Sequence, residues 1–218
     1  MKLATAAKVK AKTELPFNII LLGDPASGKG TQAAKLAKRY RMYDLDMGKE
    51  VRKPAAAAQF DYANTTAIGK LAPTVIVRNI FKNAIVSVPL TQGILFNGTP
   101  KMINEAKLVA RLLKQNKRSN PLFIYVYISE KETLKRALKR REYMNGKLVK
   151  RDDDSERALR NRRRYYKEQI SQVVDFFKER YEFKKISGAG SKQEVAVRIG
   201  AVVARYKKKH DAQKLSLQ

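Results

Sequence analysis

The run GDPASGKGT, residues 23–31, brings together residue types that suit one piece of chemistry, the holding of phosphate. It follows an apolar run at 17–22 and precedes a helical pattern that begins near Lys29, so the order is strand, glycine-rich turn, helix. Such a turn points successive backbone N–H groups inward as an anion nest, and the helix N-terminus adds partial positive charge. Lys29 reaches the outer phosphates of a nucleotide, and Thr31 offers a hydroxyl to Mg²⁺. A GxxxxGK string alone arises by chance; the flanking strand and helix give it meaning. The segment predicts a site for a nucleoside triphosphate such as ATP.

Such a loop needs a sheet to carry it. Short apolar runs recur at 94–96, ahead of Asn97, at 122–128 and at 183–186, and each reads as a buried parallel strand. Helical spacing is predicted over 29–40, 103–113, 130–141, 155–180 and 193–206. This alternation defines the α/β class: an open parallel sheet of about five strands with helices on both faces and ligands at the strand carboxyl ends. Two stretches interrupt it. Residues from about 46 to 88 form a mostly helical excursion that reads as a small inserted subdomain. Residues 142–150, EYMNGKLVK, form a polar connection with an Asn145-Gly146 turn, read as a short flap.

The 218 residues suffice for one sizeable α/β core. Absence of Cys excludes disulfides and thiolate metal sites. No apolar run approaches the roughly 20 residues of a membrane span. Residues 1–15 read as a basic arm rather than a transit peptide, 16–206 as the domain, and 207–218, with the single His210, as a basic tail. The expectation is an intracellular, cytoplasmic protein, an organelle remaining open.

Over about 17–203 the layout resembles the nucleoside monophosphate kinases, and within them the short-lid adenylate kinases. The phosphate loop of that family, GxPGxGKGT, is matched with Ala26 in place of a Gly, keeping Gly23, Gly28, Lys29, Gly30 and Thr31. The family turn DGFPR stands here as Asn97-Gly98-Thr99-Pro100-Lys101. The arginine framework RxxxRR, lid, RxDD and a further Arg stands as Arg136, Arg140, Arg141, Arg151, Asp152, Asp153 and Arg162. The resemblance implies a P-loop NTPase-type fold with an acceptor-binding insert and a short lid, and transfer of the γ-phosphoryl of ATP, with Mg²⁺, to a nucleoside monophosphate, AMP or a related acceptor. It implies that Lys29 holds the β and γ phosphates, that Arg140, Arg151 and Arg162 clamp the transferring group, and that Arg136 stacks on the donor base. A segment including Gly188 and Lys192 is implied to frame the donor adenine. Phosphoryl transfer spreads negative charge over the moving group and both bridging oxygens, so cations and positioning do the catalytic work.

The acceptor side departs from the family pattern. The segment STGDxxR aligns with residues 46–52, keeping Gly48 and Arg52, with Met47 replacing a hydroxyl and Lys49 an acid. Asn97 replaces the carboxylate that organises Mg²⁺, which removes a negative charge. Lys101 replaces an Arg and loses the bidentate fork. Glu105 replaces the Gln implied to read the acceptor base, and an ionised carboxylate cannot donate to it. The alternative reading is therefore an ATP-binding relative of weak or no activity that associates with RNA or the ribosome.

Charge supports that alternative. Lys and Arg number 47 against 20 Asp and Glu, a net +27, beyond what one nucleotide requires. From Arg136 to Arg164 there are twelve Lys or Arg and five Asp or Glu. Lys147, Lys150, Arg157, Arg160, Arg163 and Arg164 are not explained by phosphoryl transfer. RNA, a ribosomal surface or adaptation for solubility each accounts for such charge. Tyr143, Tyr165 and Tyr166 among them fit either base stacking or helix packing.

Overall fold

A computed structural model describes residues 17–66, 70–139, 142–144, 147–149 and 166–215. The central strand β1 (Ile19–Gly23) is apolar on both faces, Ile19 and Leu21 toward one layer and Ile20 and Leu22 toward the other, all fully buried. A parallel strand covered on both faces needs that composition. β1 pairs in parallel with β3 (Ile94–Asn97) and with β4 (Leu122–Tyr127). β2 (Tyr43–Asp46) joins the outer side of β3, and β7 (Phe183–Ser187) the outer side of β4. The order is β2-β3-β1-β4-β7, an all-parallel sheet of five strands as the sequence predicts.

Each face of the sheet has its own core. On one, α1 (Lys29–Tyr40) supplies Ala33, Leu36 and Tyr40, and α8 (Lys192–Leu215) supplies Val195, Ile199 and Val203, against Leu21, Ile124 and Val126. On the other, α4 (Thr74–Ser87), α5 (Ile103–Gln115) and α7 (Ser171–Lys178) bury Phe81, Val109 and Phe177 against Phe96 and Phe123. The excursion holds two single-turn helices, α2 (Met47–Glu50) and α3 (Pro54–Ala57), before α4. After β4 comes α6 (Glu130–Lys139), followed by an antiparallel pair, β5 (Glu142–Met144) with β6 (Lys147–Val149), where the flap was predicted.

Two elements differ from the sequence reading, and a third is described only in part. β2, with the sequence YDLD, has no apolar run and was not foreseen; it forms because β3 offers a parallel edge and Leu45 is fully buried beneath it. The predicted helix over 155–180 lies partly outside the described residues, and its described part is a wide turn at Tyr166–Ile170 leading into α7. α8 runs through Leu215, past the predicted end at 206, because Tyr206 and His210 bring their rings to 4.8 and 5.4 Å from that of Phe17.

Two buried polar side chains fasten the end of the sheet away from the loop. Asn18 donates to Ser119 O at 2.9 Å and accepts from Ile94 N at 3.1 Å, tying three strands together. Arg118 is 8% exposed and donates to Ile85 O at 3.0 Å, Gln92 O at 3.1 Å, Pro89 O at 3.4 Å and Val88 O. It holds the turn between α4 and β3 through carbonyls, and burial lowers its pKa.

Candidate active site

The phosphate loop leaves β1 at the carboxyl edge of the sheet. Gly23 is there because a Cβ would stand 2.3 Å from Val126 O. The next residue, Asp24, bonds the loop to β4: its N–H donates to Val126 O at 3.0 Å, its Oδ1 accepts from Tyr125 Oη at 2.7 Å, and its Oδ2 accepts from Ile128 N at 2.8 Å. Burial and the Asp24 carboxylate push the Tyr125 phenol far above its ordinary range, so it stays a donor throughout the working pH range. Lys29 Nζ donates to Asp24 O at 3.2 Å, lying across the loop's mouth. Gly28 has φ of 88° and caps α1. Ala26 has φ of 58°, a left-handed position that favours Gly, so the departure from the family pattern is a matter of backbone strain as well as room.

A cleft of about 470 Å³ opens beside the loop, bounded by Ser27, Gly28 and Thr31, by Arg136 of α6, and by Gly188 and Lys192. Arg136 is gripped from two sides, its Nε donating to Glu132 Oε1 at 2.6 Å and its Nη1 to Gly188 O at 3.0 Å. Gly188 is a close approach: a Cβ would meet Val126 Cγ1 and Ile128 Cγ2 at 2.9 Å and Ser27 O at 3.1 Å. The start of α8 is built by a reciprocal cap, Ser191 N donating to Glu194 Oε2 at 2.6 Å and Glu194 N to Ser191 Oγ at 3.2 Å. These bonds lower the Glu194 pKa. Arg198 Nη1 donates to Ser187 O at 2.5 Å and Ala189 O at 2.9 Å, and Gln32 Nε2 to Lys192 O at 2.9 Å, joining loop to helix.

On the opposite side, β3 ends at Asn97, and Gly98 turns with φ of 68°, its N–H donating to Leu21 O at 2.9 Å. A Cβ on Gly98 would stand 3.3 Å from Lys29 Cε, so this turn lies against the lysine stem. Asn97 Nδ2 donates to Asp44 Oδ1 at 3.1 Å. Burial raises the Asp44 pKa, the Asn97 bond lowers it, and nearby Asp46 raises it. Gly48 sits where a Cβ would be 3.2 Å from Asp46 Oδ1 and 3.6 Å from Arg52 Nη1, which places Arg52 over it. Lys101 follows the turn and is half-buried. Met47 is turned into the core, 6% exposed, rather than toward an acceptor.

Glu105 stands in the first turn of α5. It is 3% exposed, and its Oε2 accepts from Lys101 N at 2.9 Å and Met102 N at 3.3 Å, closing the first turn of α5. Burial raises its pKa and those two bonds act against that rise. Its carboxylate serves the helix end, because an unpaired buried N–H is costly and the acid is the nearest acceptor. Arg140, Arg151 and Arg162, with Arg141, Asp152 and Asp153, lie outside the described residues, as do Lys150, Arg157, Arg160, Arg163, Arg164 and Tyr165. Lys147 and Tyr143 fall on β6 and β5. The structure thus gathers Gly28, Thr31, Arg136, Gly188 and Lys192 around one cleft, while Gly23, Lys29 and Gly30 belong to the same loop outside that lining, Lys29 lying against Gly98 and Asp24 O. Sequence reasoning missed Asp24, Gln32, Asp44 and Arg198. Only the Ser191-x-x-Glu194 cap had a local signal.

A strand-borne phosphate loop on a five-stranded parallel sheet, with a cleft beside it, defines a nucleotide-binding α/β protein. Comparison with known proteins narrows this further. The family model for adenylate kinase matches residues 21–182. The adenylate kinase of Azobacteroides pseudotrichonymphae is 30% identical over 189 residues, 82% of this chain and 93% of its own length. That of Porphyromonas gingivalis is 28% identical over 198 residues, covering 88% and 98%, and that of Geotalea daltonii 28% over 214 residues, covering 86% and 99%. The chain belongs to the adenylate kinase family and is a nucleoside monophosphate kinase. No helix among the described residues is long and apolar enough to cross a membrane.

Proposed function

We propose that this kinase takes ATP as donor and AMP or a closely related monophosphate as acceptor. The observation that carries the reading is the pairing of Arg136 with Gly188 O beside the loop, which leaves a guanidinium plane on one wall of a cleft wide enough for a purine. The phosphates would then run into the nest of residues 23–31, with Lys29 at its mouth. Thr31 and Asn97 offer oxygen donors, a set that suits a hard cation such as Mg²⁺. When bound, Mg²⁺ neutralises charge on the β and γ phosphates. Arg52 and Lys101 would hold the acceptor phosphate, and Arg140, Arg151 and Arg162 would clamp the transferring group.

In this scheme Glu105 caps α5 through Oε2, and an ionised carboxylate offers an acceptor base only an acceptor. The test is a coupled assay of the purified chain with ATP, Mg²⁺ and each nucleoside monophosphate. Lys29→Ala is expected to abolish turnover and weaken ATP binding while leaving the unfolding midpoint in place, because a loop ammonium holds little of the core. Unchanged ATP affinity in calorimetry would overturn the donor assignment.

A second reading, an RNA contact through Lys147, Lys150, Arg157, Arg160, Arg163, Arg164 and the two basic tails, rests on the net charge of +27 alone. Retention of RNA on a filter across a salt series tests this, since binding through phosphates falls by roughly 0.7 to 0.9 log units per neutralised phosphate for each log unit of salt. Loss of all retention near physiological salt removes the reading.

A further inference from the structure

A side-chain amide has an oxygen end and a nitrogen end, and the neighbour it touches decides which way it turns. Asn97 stands 3.1 Å from Asp44 Oδ1. An ionised carboxylate accepts and does not donate, so that contact admits only the Nδ2 end. Asn97 Oδ1 is therefore obliged to face away from β2. Among the described residues no donor engages it. It belongs to a strand end that continues directly into Gly98, the residue lying against the Lys29 stem.

We infer that Asp44 is a positioning residue, which locks the Asn97 amide with its oxygen presented toward the phosphate mouth. The inference rests on the kinase reading above. Position 97 is where the family pattern has an acid, and Asp44 explains how this chain functions with a neutral group there. The negative charge is retained in the pair, one residue back from the reacting groups, and the amide oxygen it orients is a fixed acceptor. Asp46 on the same strand does not compete for this task, since its Oδ1 already accepts from Lys49 N at 3.1 Å.

The same geometry forecasts what restoring the family acid would do. Asn97→Asp alone sets two carboxylates about 3 Å apart with no donor between them, an arrangement in which like charges repel. Exchanging the pair, Asp44→Asn with Asn97→Asp, rebuilds the bond with its direction reversed. Asp44→Asn alone leaves two amides, which bond equally well with Asn97 turned either way, so orientation is lost and the contact is not.

The test uses four full-length proteins: the native chain, Asp44→Asn, Asn97→Asp and the exchanged double variant. Three quantities are measured: the ligand-free unfolding midpoint, the ratio of ATP affinities with Mg²⁺ and with EDTA, and kcat and KM for the acceptor. Asp44→Asn is expected to keep the midpoint within a degree or two, as tolerated single changes do. It should reduce both kcat and the Mg²⁺-dependent gain in ATP affinity by about fivefold to tenfold, with little change in acceptor KM, the size of losing one oriented contact. Asn97→Asp is expected to lower the ligand-free midpoint by several degrees, and the exchanged pair to recover it and the Mg²⁺ gain. Additive midpoint shifts, or an Asp44→Asn protein equal to the native one in kcat and Mg²⁺ gain, would overturn the inference. If the native chain phosphorylates no monophosphate, the kinase reading fails, and the midpoints and Mg²⁺ ratios still decide whether Asp44 orients Asn97.

Discussion

Replacing Gly188 by Ala tests the proposed donor cleft at its tightest point. The added methyl would stand 2.9 Å from two side-chain methyls, on Val126 and Ile128, and 3.1 Å from Ser27 O. Ordinary carbon contacts begin near 3.5 Å, so relief requires about 0.6 Å of movement. Val126 belongs to the core of β4 and Ser27 to the phosphate loop, and neither yields easily. The loop bearing residue 188 moves instead. Its carbonyl, 3.0 Å from Arg136 Nη1, then leaves hydrogen-bond range. Overpacking of this kind costs about 1–3 kcal/mol of stability. A half-exposed bond from a charged donor contributes about 1 kcal/mol, which converts to about a fivefold loss of ATP affinity. Isothermal calorimetry with ATP and urea unfolding of the same sample measure both. A Gly188→Ala protein that binds ATP with native affinity despite lowered stability would refute the claim that this carbonyl positions Arg136 for the donor.

Ala26→Gly relieves a left-handed alanine and is expected to raise stability by about 0.5–1 kcal/mol in urea unfolding, a small net gain because Gly also loosens the unfolded chain. Arg118→Met strands the carbonyls of Ile85 and Val88 and is expected to remove about 3–5 kcal/mol, read as a shift in the urea midpoint, with ATP affinity unchanged at the far end of the sheet. Burial raises the Glu105 carboxyl, so its folded pKa exceeds its unfolded one. Its contribution to stability is therefore full below the ordinary glutamate range and declines as pH rises through the raised value. Glu105→Gln should flatten that part of the pH profile of the urea midpoint. An unchanged profile would show that the group ionises alike in both states.

The sequence carries its fold and phosphate loop openly because both are written in neighbouring residues. An apolar run followed by a glycine-rich turn and a 3.6-residue period needs no distant partner to be read. β2 escapes that logic: Tyr43–Asp46 has one buried residue, Leu45, between two acids, and only the edge of β3 makes it a strand. The fastening of the loop escapes it too, since Asp24 and Tyr125 lie 101 positions apart. Glu105 shows a different gap: alignment to a family pattern points it at a base, while its bonds to Lys101 N and Met102 N at the start of α5 have no local signal, since no Ser or Thr at Met102 marks the helix start. Asp44 is the converse, a residue outside any quoted motif that becomes legible once its contact with Asn97 is seen.

The walls of the proposed donor cleft arrive at very different times in the life of the chain. Gln32 and the Lys192 carbonyl it holds are separated by 160 positions, and the phosphate loop emerges from the ribosome long before the segment that faces it. At roughly 5–20 residues per second, about 10–30 s pass between their appearances. During that interval β1, its loop and α1 exist without β7 and α8, so Leu21 and Leu36 have no cover from Val195 and Ile199. Nucleotide cannot be gripped from both sides until the last strand has paired with β4. If the proposed donor site is right, donor binding reports that synthesis has passed residue 198 and that the sheet has closed in its final order. A nascent chain halted before that point should pass over an ATP column unretained.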